Sequence, residues 1–332
     1  MTRPVLVAGA TGFVGQHVVQ RLVAAGASVV GGTRNPDRAR RDTALGDRIE
    51  WVRFDVGDPT THAAALKGKR ALVYLVHLMR ADCEDLITRE AESAQTVAIA
   101  AAEAGLERIV YLGGPTPAGG VTPSHHLHAR LVTGSVLRAG AVPTVELQAA
   151  MIIGAESQSW RIVRDLALRL PVMVLPSWLD RRSEPIGIDD VVDAIVGALD
   201  PSIDAPARLG LPGPEAISGT QILKRVAAHA DIRAVMVPVP LLTPQLSSHW
   251  IRLVSRADFT VARQLVDGLQ DDLLASRPTW WEVTDTTPTP LGEAIRRALT
   301  AEPPSSLPRW QRAWERVVSR VSLSPRGRPG DR

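Results

Sequence analysis

Cysteine, lysine and tyrosine are scarce in this 332-residue chain. The one cysteine, Cys83, rules out an intrachain disulfide, in keeping with a reducing compartment. Lysine occurs only at positions 67, 69 and 224, and the formal net charge is +3. That small excess sits in residues 301–332, where seven arginines meet Glu302, Glu315 and Asp331, leaving the rest of the chain close to neutral. A body without a basic stripe is not expected to bind nucleic acid. Tyrosine occurs only as Tyr74 and Tyr111, so chemistry that needs a phenol has two candidates. No uninterrupted apolar run reaches the roughly 20 residues that span a bilayer. The opening "MTRPVLVAGA" runs straight into a strand without the apolar stretch of a secretion signal, so the expected location is the cytoplasm.

What is present is an alternation. Short apolar runs at Val5–Ala8, Ala27–Gly31, Ile49–Phe54, Ala71–Val76, Arg108–Leu112 and Thr144–Leu147 are separated by amphipathic or alanine-rich helical stretches. Continuous apolar strands between helices predict a parallel sheet covered on both faces, an α/β doubly wound fold with ligands at the carboxyl ends of the strands. Residues 1–150 are read as this core. Residues 151–300 form a smaller, mostly helical substrate region interleaved with it, and residues 301–332 an amphipathic helix with a basic, disordered tail. Within the second part, Asp189 or Asp190 is expected to cap a helix reaching about residue 199, and Ser218 another. The stretch 234–300 is read as a mostly helical lid.

The first strand leads into "GATGFVG", residues 9–15, and then a helix. Gly9 permits a tight turn, Gly12 lets a pyrophosphate approach the backbone and Gly15 lets helix and strand pack closely. Free N–H groups at the helix start attract the phosphates, so Gly9, Thr11, Gly12, Phe13, Val14 and Gly15 are the expected dinucleotide cradle. A glycine-rich turn without a ligand is the alternative. At the end of the second strand, "VVGGTRNPDR" carries Arg34 where a ribose-binding acid would stand, so NADP(H) is favoured and NAD(H) is the alternative. Arg34, with Arg38 near it, is otherwise a solvated surface charge. Asp55 and Val56, after the third strand, are placed at the adenine.

With "FDVGD", "YLVHLM", "YLGG", "EPIGIDDVVDAI" and "LGLPGPEAIS" following in order, residues 3–300 resemble the short-chain dehydrogenase/reductase superfamily. More narrowly the chain is similar to its atypical, Rossmann-type branch, which includes NmrA-like proteins, an accessory subunit of respiratory complex I and bacterial NAD(P)H-binding proteins. The resemblance implies a Ser and a Tyr-x-x-x-Lys pair, and this chain departs from all three. No lysine lies between positions 69 and 224, the register puts His126 and Arg130 at the matching spacing, and Gly113–Gly114 stand where the serine would be.

His126 and Arg130, four residues apart on a helix that Thr122 caps and Pro123 begins, are the candidate catalytic pair. His126 can pass a proton near neutrality and Arg130 can hold a ribose hydroxyl or phosphate, unless "HHLHAR" is only a partly exposed helix start. His125, His126 and His128 lack a nearby Cys or acid to complete a ligand set, so no metal is expected. Val76 and His77, with Tyr74, follow strand four and line the nicotinamide side of the cleft, or His77 is a satisfied strand-end group. Gln148 and Met151–Gly154 form another cleft edge. Trp160, Trp178 and Arg181–Arg182 either shape an apolar cavity with a cationic rim or belong to the core.

Two functions fit these residues. One is an NADP(H)-dependent reductase or isomerase of a small apolar carbonyl or quinone-like compound, with an unconventional proton source in place of the usual Ser, Tyr and Lys. The other is a non-catalytic dinucleotide-binding redox sensor or scaffold. The tail helix, with Trp310, Trp314, Val317, Val318 and Val321 on one face, is expected to touch a membrane surface or a partner, or to pack on its own domain.

Overall fold

The alternating apolar runs do pair as a parallel sheet. A computed structural model describes residues 3–77, 85–117, 123–169, 172–203, 205–232, 235–239 and 272–301, without the side chains of 169, 172–174, 176–178 and 235–239. The chain runs through β1 (Val5–Ala8), α1 (Phe13–Ala24), β2 (Val29–Thr33), α2 (Pro36–Asp42), β3 (Glu50–Arg53), α3 (His62–Leu66), β4 (Ala71–Tyr74), α4 (Leu86–Glu103), β5 (Arg108–Gly113), α5 (His125–Ala139) and β6 (Thr144–Gln148). It continues through β7 (Ile152–Ile153), α6 (Gln158–Arg169), β8 (Val172–Pro176), β9 (Arg182–Ser183), β10 (Ile186–Gly187), α7 (Ile188–Gly197), β11 (Arg208–Gly210), β12 (Ile217–Ser218) and α8 (Gly219–His229). The last described elements are β13 (Val235–Val239), α9 (Trp280–Thr284) and α10 (Leu291–Thr300).

Seven strands form one sheet in the order β11-β6-β5-β4-β1-β2-β3, with every pairing parallel. Strand order reverses between β1 and β4, where Ala8 lies opposite Tyr74, which opens a crevice at their carboxyl ends. Both faces are buried, which is why the strands read as continuous apolar runs. Val5 and Val7 point into one core with Val18, Leu22, Val191 and Ile195 from α1 and α7. Leu6 and Ala8 point into the other, with Ala94, Val97 and Leu137 from α4 and α5. A third core joins α6, α8 and α10 through Trp160, Ile222, Leu223 and Ile295. Trp160 is therefore a core residue, while the side chain of Trp178 and the tail beyond residue 301 lie outside the described residues.

Several boundaries move for local reasons. The second strand begins at Val29 rather than Ala27, because the Ala27 N–H donates to the Leu22 carbonyl at 2.9 Å and completes the stop of α1 around Gly26 (φ 74°). The cap of α7 is Gly187, and the carboxylates of Asp189 and Asp190 sit in its first turn, where the helix dipole favours them. Ser218 caps α8 as expected and forms a reciprocal capping box with Gln221. Residues 235–239, expected in the helical lid, instead form a strand parallel to β8.

Candidate functional site

Gly9 adopts φ 83°, a conformation natural to glycine, and its carbonyl accepts the Gly12 N–H at 2.9 Å. A Cβ on Gly15 would stand 2.1 Å from the Gly9 carbonyl oxygen and 2.9 Å from Ala10 Cα, so any side chain there drives α1 off the loop. Gly12 caps α1 with no side-chain acceptor, and the first turn holds no acid to neutralise its N–H groups. Thr11 and Gly12 are exposed, and Phe13 and Val14 half-buried, so the expected cradle opens to solvent at a helix start. These features fit a pyrophosphate: backbone donors, a positive dipole end and no side chain in the way.

Arg34 follows β2 and is exposed, with no hydrogen bond or ion pair among the described residues. Arg38 is occupied by Asp42, its Nε donating to Oδ2 at 3.1 Å, so among the described residues Arg34 is the free cation at this strand end. Asn35 caps α2 by accepting the Arg38 N–H at 3.0 Å, which fixes the turn carrying Arg34. After β3, the Asp55 carboxylate accepts the Gly57 N–H at 3.1 Å. The Val56 side chain is buried in the α4/α5-side core, so this position offers an adenine its backbone rather than its side chain.

The ends of β4 and β5 bring three expected residues and one unforeseen one together. Val76 and His77 are half-buried, and the His77 ring packs edge-on to Tyr111 with centroids 5.8 Å apart. The Tyr111 hydroxyl donates to the Arg130 carbonyl at 2.9 Å, and Arg130 Nη2 donates to the Leu112 carbonyl at 3.4 Å. Burial, and then the Arg130 guanidinium, hold the His77 pKa well below the usual 6.5. Burial pushes both Tyr74 and Tyr111 above the ordinary phenol range. Ser124, rather than Thr122, caps the helix of His126 and Arg130, accepting the Leu127 N–H at 3.4 Å. That helix begins at His125, not Pro123, and Thr122 lies outside the described residues. His126 sits half-buried one turn before Arg130.

The missing serine has a steric counterpart. A Cβ on Gly113 would meet Glu146 Oε1 at 2.7 Å, and one on Gly114 would meet Leu127 Cδ1 at 2.6 Å. Glu146, unforeseen in the sequence reading, is 1% exposed in the middle of β6; Gln148 Nε2 donates to it at 3.1 Å and Arg138 pairs with it at 3.0 Å. Burial raises its pKa above the usual 4.5. Gly134 makes the remaining room, since a Cβ there would lie 2.5 Å from Oε1. A glycine inside a helix and an acid inside the apolar run "TVELQ" were the signals of this cluster. Gln148 Oε1 in turn accepts the Ser276 hydroxyl at 2.8 Å, which ties the cleft edge at β6 to the C-terminal region.

A separate groove of about 370 Å³ lies between α1, α7 and α10, lined by His17, Gly154, Glu156, Asp189 and Arg297 among others. Its arginine is already bridged to Asp189 and Glu293. No helix among the described residues is long and apolar enough to cross a membrane.

Residues 9–170 match the family described as NAD(P)H-binding. A search of curated proteins finds no match. Solved structures with similar folds include a nucleoside-diphosphate-sugar epimerase from Staphylococcus aureus, with TM-score 0.70 and 14% identity over 89% of this chain and 100% of that one. Another is the Citrobacter sp. triphenylmethane reductase complexed with NADP(H), at TM-score 0.68 and 18% identity over 89% and 99% of the two chains. A third, MoeE5 in complex with UDP-glucose and NAD, gives TM-score 0.67 and 17% identity over 90% and 97%.

Proposed function

From the premise that residues 9–170 form an NAD(P)H-binding domain in a chain with the short-chain dehydrogenase/reductase fold, we propose an NADP(H)-binding protein of the atypical, NmrA-like branch. Its reading is that of a reductase for a small carbonyl or quinone-like compound. The observation that carries the cofactor preference is Arg34. It is exposed, unpaired among the described residues and positioned at the end of β2, where a 2′-phosphate would supply its missing charge partner. The glycine cradle holds the pyrophosphate through backbone N–H groups, and Val56 offers backbone to the adenine. A bound NADPH supplies the hydride. His126 is the assigned proton donor and Arg130 the fixed cation beside the ribose.

The second reading, a non-catalytic redox sensor or scaffold, is favoured by the state of the two phenols. Tyr111 donates its proton to a backbone carbonyl and Tyr74 is fully buried, so neither is free to protonate a substrate. Fluorescence titration of NADPH and NADH into wild type and Arg34→Ala tests the cofactor assignment. The expected result is at least about tenfold tighter NADPH binding by wild type and near-equal binding by the variant. Equal affinities in wild type would remove Arg34 from this role. NADPH oxidation against a carbonyl and quinone panel, lost in His126→Ala, separates the reductase from the sensor.

A further inference from the structure

Three buried polar atoms at the carboxyl ends of β4 and β5 have no hydrogen-bond partner: the Tyr74 hydroxyl, His77 Nδ1 and Arg130 Nε, of which the last two are cationic or can become so. They belong to one small assembly. His77 packs on Tyr111, Tyr111 is bonded to the Arg130 backbone, and the Arg130 guanidinium carbon lies 3.8 Å from where a Cβ on Gly114 would stand. The nearby acids among the described residues are engaged elsewhere. Glu146 is held by Gln148 and Arg138, and Glu90 accepts the Thr133 hydroxyl at 3.1 Å. Among the described residues Arg130 therefore forms no ion pair, although its charge acts on His77, Tyr111 and Glu146. A half-buried guanidinium with one N–H unsatisfied and no counter-ion is costly, as is a buried imidazole nitrogen with nothing to bond.

We infer that His77 and Arg130 form an anion subsite that receives the carboxylate of a small organic acid, so that the carbonyl compound taken by this cleft also carries a carboxylate. The inference builds on the proposed NADP(H) reading only for what lies beside the acid. A neutral oxygen would satisfy the Arg130 N–H but leave its charge unmatched, whereas a carboxylate does both and accepts more than one guanidinium N–H. A phosphate dianion would need more donors than one guanidinium edge and one imidazole provide. The groups facing His77 are Arg130, Tyr111 and the Leu112 carbonyl, with Tyr74 behind them and, among the described residues, no acid in direct contact with the ring. An arriving carboxylate therefore brings a negative charge to His77, and binding draws a proton onto it.

Calorimetric titration of the full chain with phenylacetate and with phenylacetamide, alike in shape and different in charge, tests this with and without saturating NADPH. The acid is expected to bind at least about tenfold tighter than the amide. That preference disappears in Arg130→Gln and partly survives in Arg130→Lys. In buffers of different ionisation enthalpy, wild type takes up a proton with the acid and His77→Gln does not. Equal affinity for acid and amide, a preference unchanged in Arg130→Gln, or tighter binding of inorganic phosphate would overturn the inference. An Arg130-dependent acid preference in a protein that ignores NADPH would sink the nucleotide reading and leave this one standing. NADPH binding without any acid preference would do the reverse.

Discussion

The glycine cradle before α1 and the cluster at the ends of β4 and β5 lie along the same edge of one sheet and are built on opposite terms. The cradle works by having no side chains: Gly15 is forced by a carbonyl 2.1 Å from any Cβ, and Gly12 leaves the helix start uncapped. The second cluster works by burying polar side chains, His77, Tyr111 and Arg130, with some of their hydrogen-bonding atoms unsatisfied. Steric compulsion on a backbone tolerates no substitution, whereas a polar cluster can be retuned one side chain at a time. On the proposed reading the first region fixes which cofactor part is held, and the second is where a substrate is selected.

The largest expected effect comes from breaking the first region. Gly15→Ala has to push α1 away from the Gly9 carbonyl, which costs about 3 kcal/mol of stability and weakens NADPH binding by about a hundredfold or more. Thermal unfolding and a binding titration on the same preparation check both parts. An alanine variant that binds normally would show that the loop is only a turn.

The second effect tests the side-chain logic. Alanine in place of glycine inside a helix ordinarily stabilises by about 1 kcal/mol. In Gly134→Ala the sign should invert to a loss of about 2 kcal/mol, because the new methyl meets the Glu146 carboxylate at 2.5 Å. Glu146→Ala in the same chain should restore most of it in a denaturant double-mutant cycle. Glu146 itself carries a pH signature. Its folded pKa is raised above the unfolded value, so the cost of burying the charge is present at neutral pH and is relieved as pH falls through the folded value toward 4.5. Glu146→Gln should lose that relief, measured as a flatter dependence of unfolding free energy on pH over this window.

Legibility in the sequence follows the same division. The sheet was legible because strands buried on both faces must be apolar throughout, and the tight turn before α1 because Gly9 needs a positive φ and Gly15 has no room for a Cβ. The place of Arg34 just after β2 was legible because a strand end can be counted from the motif. Glu146 was not, since an acid in a strand looks like an edge residue until Gly113 and Gly134 are seen making room for it from β5 and α5. The pairing of His77 with Arg130 depends on residues 53 positions apart meeting across β4, β5 and α5, which no local period encodes. The cap of α5 moved from Thr122 to Ser124 because both are capping residues and only geometry chooses between them.

The smallest expected effect is a control for both regions. Ser218→Ala removes the capping box of α8, in the separate core of α6, α8 and α10, and should cost about 1 kcal/mol. Neither NADPH affinity nor the acid preference should change, as a thermal melt paired with the two titrations will show.

The most direct measurement is a calorimetric titration of NADPH into wild type and into Gly15→Ala, each shown by circular dichroism to be folded. Saturable one-site binding by wild type, lost in the variant, is the predicted result. A wild-type protein that takes up neither NADPH nor NADH at millimolar concentration, or a folded variant that binds as well as wild type, would contradict the account.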